Sequence, residues 1–178
     1  MPLSRRSKAA MAVALLVLVG ALSLPYLDAL CFIIRAADLP GPASTVANWR
    51  ATSVSREDAF TVPTRQGNVP ARFYRPASGV RRTVILMPGV HRDGIDESRL
   101  VGLAEDLAGT GFGVLTIAAP DLQKFKITPQ VTDVIEDAVL WASAQPQFAP
   151  DGKIGLLGIS FSGGLSDRKS TRLNSSHQ

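Results

Sequence analysis

The sequence predicts an α/β domain with a largely parallel sheet, preceded by a long apolar helix at the N-terminus. Three observations support this fold class. Short apolar runs of strand length alternate with segments of helical periodicity from residue 59 onward. An apolar run of membrane-spanning length follows a basic cluster close to the N-terminus. A turn made mostly of small residues follows the last apolar run, at residues 158–164.

The composition of the chain excludes several classes of protein. Apolar residues make up 46% of the 178 positions, which is enough for one domain with a hydrophobic core. The single cysteine, Cys31, excludes a disulfide framework and a cysteine–histidine zinc site, and we expect neither a metal nor a cofactor. The net charge of +4 comes from the two ends, since residues 9–166 carry 13 basic and 14 acidic side chains. A nucleic-acid partner is therefore not expected.

The N-terminal segment, residues 1–37, has the features of membrane targeting. A basic cluster at residues 5–8 precedes the run Ala9–Leu27, in which the single polar side chain is Ser23. As a helix this run spans about 28 Å, close to the thickness of the hydrocarbon core of a bilayer. The basic flank is expected to stay in the cytoplasm, which places the remainder of the chain on the non-cytoplasmic side.

Three interpretations of this run stay open. The first is an uncleaved membrane anchor, which the length of the run favours. The second is a cleaved signal peptide with Ala21–Ser23 as the cleavage site, which leaves a secreted or periplasmic protein. The third, a buried core helix, fits the preceding basic cluster less well. Cys31 follows Leu30, where a lipoprotein cysteine needs a small residue, so we expect a buried or membrane-facing thiol.

Residues 38–58 are predicted to form a linker, because Asp38–Asn48 is rich in proline and glycine and shows neither helical nor strand periodicity. Residues 59–166 are predicted to form the α/β domain. Its expected elements are a hairpin of strands Ala59–Val62 and Val69–Tyr74 with a turn at 65–68, a strand Thr83–Met87, a helix Ser98–Ala108, a strand Gly113–Ala118, a helix that begins at Thr128–Pro129 and ends before Pro146, and a strand Lys153–Leu157. Trp141 adjoins the apolar face of the second helix and is assigned to the core.

The order of these elements determines where a site is expected. Strand–helix–strand units form a parallel sheet, and ligands bind beyond the carboxyl ends of its strands. The candidate positions are therefore the loops that follow Met87, Ala118 and Leu157. The carboxylates of these loops are expected to be turn and cap residues: Asp93, Asp96 and Asp121.

The segment GISFSGG, residues 158–164, has the composition of a sharp strand-to-helix turn. A serine nucleophile on such a turn needs small neighbours, and here these are Gly158, Ser162 and Gly163. The backbone of Ser160 is expected to be strained. The positive end of the helix that follows is expected to stabilise an oxyanion.

This segment, after the apolar run KIGLL, resembles the nucleophile elbow of the α/β hydrolases, whose pattern is G-x-S-x-G. The fifth position departs from the pattern because Ser162 replaces glycine, although serine is small enough for the turn. The resemblance implies that Ser160 is the nucleophile and that the N–H of Phe161 is one oxyanion donor. Two other interpretations are an ordinary serine–glycine loop and Ser162 as the nucleophile, which places Ser160 where a glycine is wanted.

The resemblance also assigns a role to the loop PGVHRDG, residues 88–94. The second oxyanion donor of this family lies in this loop, and by position we expect the N–H of Val90, with His91 as the next choice. Gly89 lets the backbone approach the substrate closely. His91 is expected to line the substrate site or to stabilise the loop, because the histidine base of this family follows the nucleophile and an acidic residue along the chain.

The resemblance covers residues 59–164 and implies hydrolysis of a small-molecule ester, or a related acyl bond, through an acyl-enzyme on Ser160. It is nearest to esterase-like and dienelactone-hydrolase-like members, although the dienelactone enzymes use a cysteine nucleophile. The alternative is a non-catalytic, membrane-tethered binding scaffold on the same fold.

The last residues, 167–178, are expected to be foreign to the domain. The segment Asp167–His177 has no apolar periodicity and resembles one reading frame of a common sequencing adapter, so His177 is not counted as a base. We therefore interpret the chain as the N-terminal portion of an α/β hydrolase that ends just after its nucleophile. The acid and the histidine of the triad are expected beyond it, which leaves the chain inactive and its strand Lys153–Leu157 as an apolar edge.

Overall fold

The structure is a computed structural model that describes residues 5–160 and 162–164. The chain divides into two compact units, one up to Arg50 and one from Ala51 onward. Ser160 belongs to the second unit. Phe161 and the segment predicted as a foreign tail lie outside the described residues.

The described part of the first unit consists of helices. The first helix, α1 (Arg5–Ala36), is long and apolar enough to cross a membrane, a property that a signal sequence near an N-terminus shares. The large apolar side chains between Met11 and Leu27 of its membrane-length run are exposed. The second helix, α2 (Pro42–Arg50), lies where the sequence predicted an irregular linker.

The presence of α2 shows that the linker prediction is wrong at these residues, and the packing of the helix explains why. Nine residues are too few for a helix that is stable by itself in water, and too few to show a clear periodicity. The helix is held by α1 instead. Ala47 is fully buried, and Arg50 Nη2 pairs with Asp28 Oδ1 at 2.6 Å. Tertiary packing therefore decides the structure of this segment.

Among the described residues, the second unit is built on a five-stranded sheet with the strand order β1-β2-β4-β3-β5. The strands are β1 (Val54–Thr64), β2 (Gly67–Pro76), β3 (Thr83–Met87), β4 (Gly113–Ile117) and β5 (Ile154–Gly158). β2 pairs antiparallel with β1 and with β4, and β3 pairs parallel with β4 and with β5. The predicted α/β class, with an N-terminal hairpin followed by parallel strands, is confirmed.

The N-terminal hairpin is longer than its sequence pattern indicated. Both strands extend beyond the predicted residues, and β1 begins at Val54, within the predicted linker. The register shifts between Glu57 and Phe60, and such an irregularity interrupts the alternation on which strand prediction depends. Gly67 follows a turn at residues 65–66 and has a φ of 102°, a left-handed conformation that favours glycine.

Helices cover both faces of the parallel strands. These helices are α3 (Ser98–Ala108), α4 (Pro120–Gln123) and α5 (Pro129–Ser143). Ile85 and Leu115 pack in one core cluster with α5, whereas Leu86 and Val114 pack in a second cluster with α3. Because alternate residues of a strand point to opposite faces, α3 and α5 lie on opposite faces of the sheet. Burial on both faces explains why β3 and β4 are continuous apolar runs.

An aromatic cluster packs between α5 and the hairpin. The ring centroids of Phe73 and Phe148 lie 4.8 Å apart, and those of Trp141 and Phe148 lie 5.2 Å apart. Phe60 stacks on Trp141 at 6.1 Å. The assignment of Trp141 to the core is confirmed.

The starts of α3 and α5 are capped in different ways. Glu97 caps α3, since its Oε2 accepts the N–H of Leu100 at 2.8 Å. As predicted, α5 begins at Pro129 after Thr128, but the Thr128 hydroxyl makes no capping hydrogen bond. It donates to the carboxylate of Asp121 instead. Asp121 lies in α4 and therefore joins that helix to the start of α5.

The cap residue Glu97 gives the stability of the second unit a pH dependence. The hydrogen bond from Arg99 lowers the pKa of Glu97; burial opposes this effect, and the N–H of Leu100 lowers the pKa further. Because the folded-state pKa is depressed, the stabilisation is present above the ordinary glutamate pKa of about 4.3. It is lost as the pH falls through the folded-state value.

We expect Glu97→Gln to lower the free energy of unfolding by about 0.5–1 kcal/mol at neutral pH. The difference should be smaller at pH 3, below the ordinary glutamate pKa of about 4.3, because the native side chain becomes protonated as the pH falls through its lowered pKa. Urea unfolding at both pH values measures the effect. Glu105→Gln, on the same helix but away from its start, is the control and should change little. An equal loss of unfolding free energy at both pH values would show that the charge of Glu97 does not contribute to stability.

Candidate active site

The carboxyl ends of β3 and β5 lie side by side. Met87 pairs with Gly158 in the parallel register, so the loops that follow the two strands leave the sheet next to each other. The loops are also joined directly, because the Ile159 N–H donates to the Met87 carbonyl at 3.2 Å. The loop after β4 lines a separate cavity of about 140 Å³ that includes Asp121. Two of the three predicted loops therefore meet, and the third lines a different cavity.

The turn that carries Ser160 is sharp, and its backbone is strained. Ser160 has a φ of 58°, in the left-handed region that L-residues avoid. The Ser162 N–H donates to the Ile159 carbonyl at 3.2 Å, and the Gly163 N–H donates to the Ser160 carbonyl at 3.1 Å. The chain therefore reverses within a few residues and leaves Ser160 exposed at the tip. The predicted strained conformation is confirmed, and the side chain is accessible to a substrate.

Gly158 and Gly163 make this turn possible because the space beside them is filled by backbone. A Cβ atom at Gly158 would lie 2.4 Å from the backbone carbonyl carbon and oxygen of Ser162 and 2.5 Å from the nitrogen of Gly163. A Cβ atom at Gly163 would lie 3.2 Å from the carbonyl oxygen of Gly158. The two backbone segments that flank Ser160 are thus in direct contact, and a larger residue at Gly158 cannot be accommodated without a shift.

Ser162 is a structural part of the turn. Its side chain is fully buried, and its Oγ donates to the Ile159 carbonyl at 2.8 Å, with the Met87 carbonyl at 3.2 Å. A hydroxyl has one proton to donate, so these two carbonyls share it. The burial argues against Ser162 as a nucleophile. Its hydroxyl also links the turn to β3, a contact that a glycine at this position could not make.

Ser160 lies beside a cavity of about 220 Å³ between the turn and the loop after β3. The predicted residues Gly89, Val90 and His91 line this cavity. A Cβ atom at Gly89 would lie 3.4 Å from the Ile159 carbonyl oxygen and 3.7 Å from Ser160 Cβ, so the loop backbone approaches the turn closely at this glycine. The remaining predicted oxyanion donor lies outside the described residues, at position 161.

A buried arginine holds the far end of the loop after β3. Arg72 of β2 is 9% exposed. Its Nη1 donates to the Ile95 carbonyl at 2.9 Å, its Nη2 to the Asp96 carboxylate at 2.7 Å, and its Nε to the carboxylate of Asp58. Burial by itself lowers the pKa of Arg72, but hydrogen bonds, led by the one to Asp96, raise it above the ordinary arginine value. The guanidinium therefore stays charged and ties β1 and β2 to the loop.

Asp96 lies in a single 3-10 turn, Gly94–Asp96, in agreement with its assignment to a turn, but sequence reasoning missed Arg72 and its pairing with this carboxylate. The carboxylate of Asp96 pairs with an arginine that lies 24 positions away in the chain, so no local pattern reveals the pair. One signal was available. Arg72 lies between Ala71 and Phe73 in a strand of mostly apolar residues, and a charged residue in such a strand requires a buried partner.

His91 is engaged within its own loop. Its Nδ1 accepts the N–H of Asp93 at 3.3 Å and lies 3.7 Å from Asp93 Oδ2. Within residues 5–160 and 162–164, no group of three or more histidine, cysteine, aspartate or glutamate side chains is arranged to hold a metal ion.

Several solved structures resemble this chain. An esterase from Pyrobaculum calidifontis is 21% identical, with a TM-score of 0.56, over 75% of this chain and 44% of that chain. A dienelactone hydrolase from Anabaena variabilis is 16% identical, with a TM-score of 0.57, over 69% of this chain and 60% of that chain. A brefeldin A esterase described as a bacterial homologue of human hormone-sensitive lipase is 17% identical, with a TM-score of 0.56, over 86% of this chain and 45% of that chain.

These similarities concern the fold. Comparison with protein-family models gives no match, and comparison with curated proteins gives none either. The chain has the α/β-hydrolase fold that the resemblance of its GISFSGG segment implied. It spans about half the length of the Pyrobaculum esterase that it matches.

The backbone contact at Gly158 predicts that alanine is not tolerated there. We expect Gly158→Ala to lower the free energy of unfolding by roughly 2–3 kcal/mol, because its Cβ would overlap the Ser162 backbone. Gly164→Ala is the matched control, since nothing lies within 4 Å of a Cβ at that position. Urea unfolding measures both variants. The described packing would be contradicted by a Gly158→Ala protein as stable as the control.

Proposed function

We propose that this chain carries the nucleophile of a serine hydrolase that cleaves a carboxylic ester, or a related acyl bond, through an acyl-enzyme on Ser160. The observation that carries the proposal is the backbone of Ser160, which has a φ of 58° at the tip of a turn built on glycine contacts. Strain of this kind costs about 1–3 kcal/mol and clusters at active sites, ligand clamps and switch regions. The names of the similar structures, two esterases and a dienelactone hydrolase, support the same chemistry.

The proposed reaction begins with attack of Ser160 Oγ on the carbonyl carbon of the substrate. The Oγ–C bond forms as the carbonyl π electrons move to oxygen, and a base accepts the hydroxyl proton. The N–H groups of Val90 and Phe161 donate hydrogen bonds to the resulting oxyanion. Collapse of this intermediate breaks the bond to the leaving alcohol, which takes the proton from the base. Water then releases the acyl group by the same steps, and no cofactor is required.

The base and its acidic partner are proposed to lie in a longer parent of this chain. His91 is the histidine of the described residues, and its Nδ1 is engaged by the Asp93 N–H. The exposed apolar surface of β5 supports a longer parent, because this strand lies at the edge of the described sheet and its Leu157 side chain is 41% exposed. In the α/β hydrolases that the turn resembles, the acid and the histidine follow the nucleophile along the chain.

The proposed substrate is a small molecule. The cavity of about 220 Å³ beside Ser160 is smaller than the roughly 300–1,000 Å³ of a typical ligand pocket, so it suits the acyl part of a substrate. Gly89 allows the backbone to approach the reacting carbonyl, and His91 lines the side of the cavity formed by the loop after β3.

We also propose that α1 anchors the protein in a membrane, with the second unit on the non-cytoplasmic side. The helix is long and apolar enough to span a bilayer, and a basic cluster precedes its apolar run. Cleavage of the same segment as a signal peptide is the alternative, and it would give a secreted or periplasmic protein.

Ser160 is expected to form the covalent intermediate. A fluorophosphonate probe should label the full-length parent at Ser160, and Ser160→Ala should abolish labelling and lower kcat for a short-chain nitrophenyl ester by roughly 10⁴-fold or more. Ser143→Ala, in α5, is the matched control and should leave both unchanged. Mass spectrometry of the labelled peptide locates the adduct.

Two outcomes of this experiment would contradict the proposed function. Labelling that persists in Ser160→Ala would show that another residue is the nucleophile. A folded parent that neither reacts with the fluorophosphonate probe nor hydrolyses the nitrophenyl ester would favour the binding scaffold instead of an enzyme. The chain of residues 1–178 by itself is expected to give no turnover, because a serine hydroxyl is a weak nucleophile without a base.

The apolar run of α1 is expected to keep the protein in the membrane. Extraction of membranes with alkaline carbonate should leave the protein in the pellet with its N-terminus intact. Recovery in the supernatant with an intact N-terminus would exclude the anchor. Recovery of a shorter protein that begins just after Ser23 would identify the segment as a signal peptide.

A further inference from the structure

The two helices of the first unit form a hairpin that brings the chain back to the end of its apolar run. Arg50, the last residue of α2, pairs with Asp28 at 2.6 Å, about two turns before the end of α1. Small side chains are buried along the hairpin, with Ala47 of α2 fully buried and Cys31 of α1 9% exposed. α2 therefore runs antiparallel to the last turns of α1.

The turn between the two helices is set by backbone hydrogen bonds. The Asp38 N–H donates to the Arg35 carbonyl at 2.9 Å, and the Leu39 N–H donates to the Ile34 carbonyl at 3.0 Å. This is the Schellman pattern of a helix end, in which the residue after the helix is left-handed; Asp38 has a φ of 47°. The direction of α2 is thus determined by the way in which α1 ends.

The hairpin places an exposed tryptophan level with the end of the apolar run. That run ends directly before Asp28, and the remaining turns of α1 extend about 13 Å past it. Trp49, adjacent to Arg50, is 84% exposed, and Tyr26 on α1 is 78% exposed. Tryptophan and tyrosine are enriched where a bilayer meets water, because each ring combines an apolar body with one polar group.

We propose that the last turn of α2 docks on the phospholipid headgroup region of the membrane that α1 enters, with the Trp49 ring inserted among the headgroups. The bilayer surface is the occupant because the exposed ring lies level with Asp28, the first charged residue after the membrane-length apolar run. Val46, one turn earlier on the same side of α2, is 57% exposed and extends the apolar face. The inference rests on α1 as a retained anchor and adds a second membrane contact that fixes the depth of α1.

The ion pair makes this arrangement stable next to hydrocarbon. The side chains of Arg50 and Asp28 are 31% and 35% exposed, and each neutralises the other. A carboxylate without its partner at the end of a membrane run is costly, so α1 would shift to bring Asp28 into water. Such a shift would carry α2, and with it Trp49, away from the headgroups.

Fluorescence of Trp49 in vesicles tests the proposal. The chain has two tryptophans, so Trp141→Phe leaves Trp49 as the single reporter. The full chain is reconstituted in phosphatidylcholine vesicles whose lipids carry bromine either near the headgroup or near the ends of the acyl chains. We expect quenching about twofold stronger from bromine near the headgroup, together with weak quenching by acrylamide in the water. In the control Trp49→Phe, Trp141 should not respond to brominated lipid.

Variants of the ion pair separate this contact from the anchor. Arg50→Gln should leave the chain floating with the vesicles, while quenching of Trp49 by brominated lipid falls and quenching by acrylamide rises. The exchange Asp28→Arg with Arg50→Asp rebuilds the pair and should restore both signals.

Two results would overturn the proposal. One is a Trp49 that acrylamide quenches as strongly as a tryptophan in water, without any effect of bromine. The other is protection from both quenchers, which would indicate a protein contact such as a second copy of the chain. A chain that does not float with the vesicles would refute the anchor itself, and the docking with it.

Discussion

The backbone contact between Gly158 and Ser162 is the constraint on which the candidate active site depends. The two segments that flank Ser160 approach so closely that a Cβ at Gly158 would lie 2.4 Å from the Ser162 carbonyl. Between these two segments Ser160 adopts a left-handed conformation with a φ of 58°. The strain, about 1–3 kcal/mol, has to be offset by other contacts. Hydrogen bonds from Ile159 and Ser162 to the Met87 carbonyl are among them, at roughly 1 kcal/mol each.

These contacts fix the position of Ser160 relative to the sheet, although the residue lies in a turn. β3 lies between β4 and β5, and both of its faces are covered by helices, so its carboxyl end is fixed. The turn after β5 is bonded to that end at Met87. The loop after β3 begins at the same point, and Arg72 holds it at its far end through the Ile95 carbonyl and Asp96. Ser160 and a backbone-lined loop are thereby held together by rigid elements, which is the arrangement that the proposed oxyanion stabilisation requires.

The features that the sequence predicted correctly are those that depend on local pattern. Burial on both faces made β3 and β4 continuous apolar runs, and the sharp turn required small residues that a sequence displays directly. The features that it missed depend on distant partners. α2 packs on α1 with Ala47 buried and Arg50 paired with Asp28, and no periodicity within nine residues reports those contacts. Ser162 was predicted as a tolerated replacement for glycine, while its hydroxyl bonds to carbonyls on two separate segments, one of them at the end of β3.

The most direct test of this account is a crystal structure of the full-length parent after reaction with a dialkyl phosphate ester such as paraoxon. The account predicts a phosphorus atom bonded to Ser160 Oγ and a positive φ at that residue. It also predicts that the phosphoryl oxygen lies within hydrogen-bond distance of the N–H of Val90. An adduct on another side chain would contradict it. An adduct on Ser160 with an ordinary right-handed backbone, or with the phosphoryl oxygen directed away from the loop after β3, would contradict it equally.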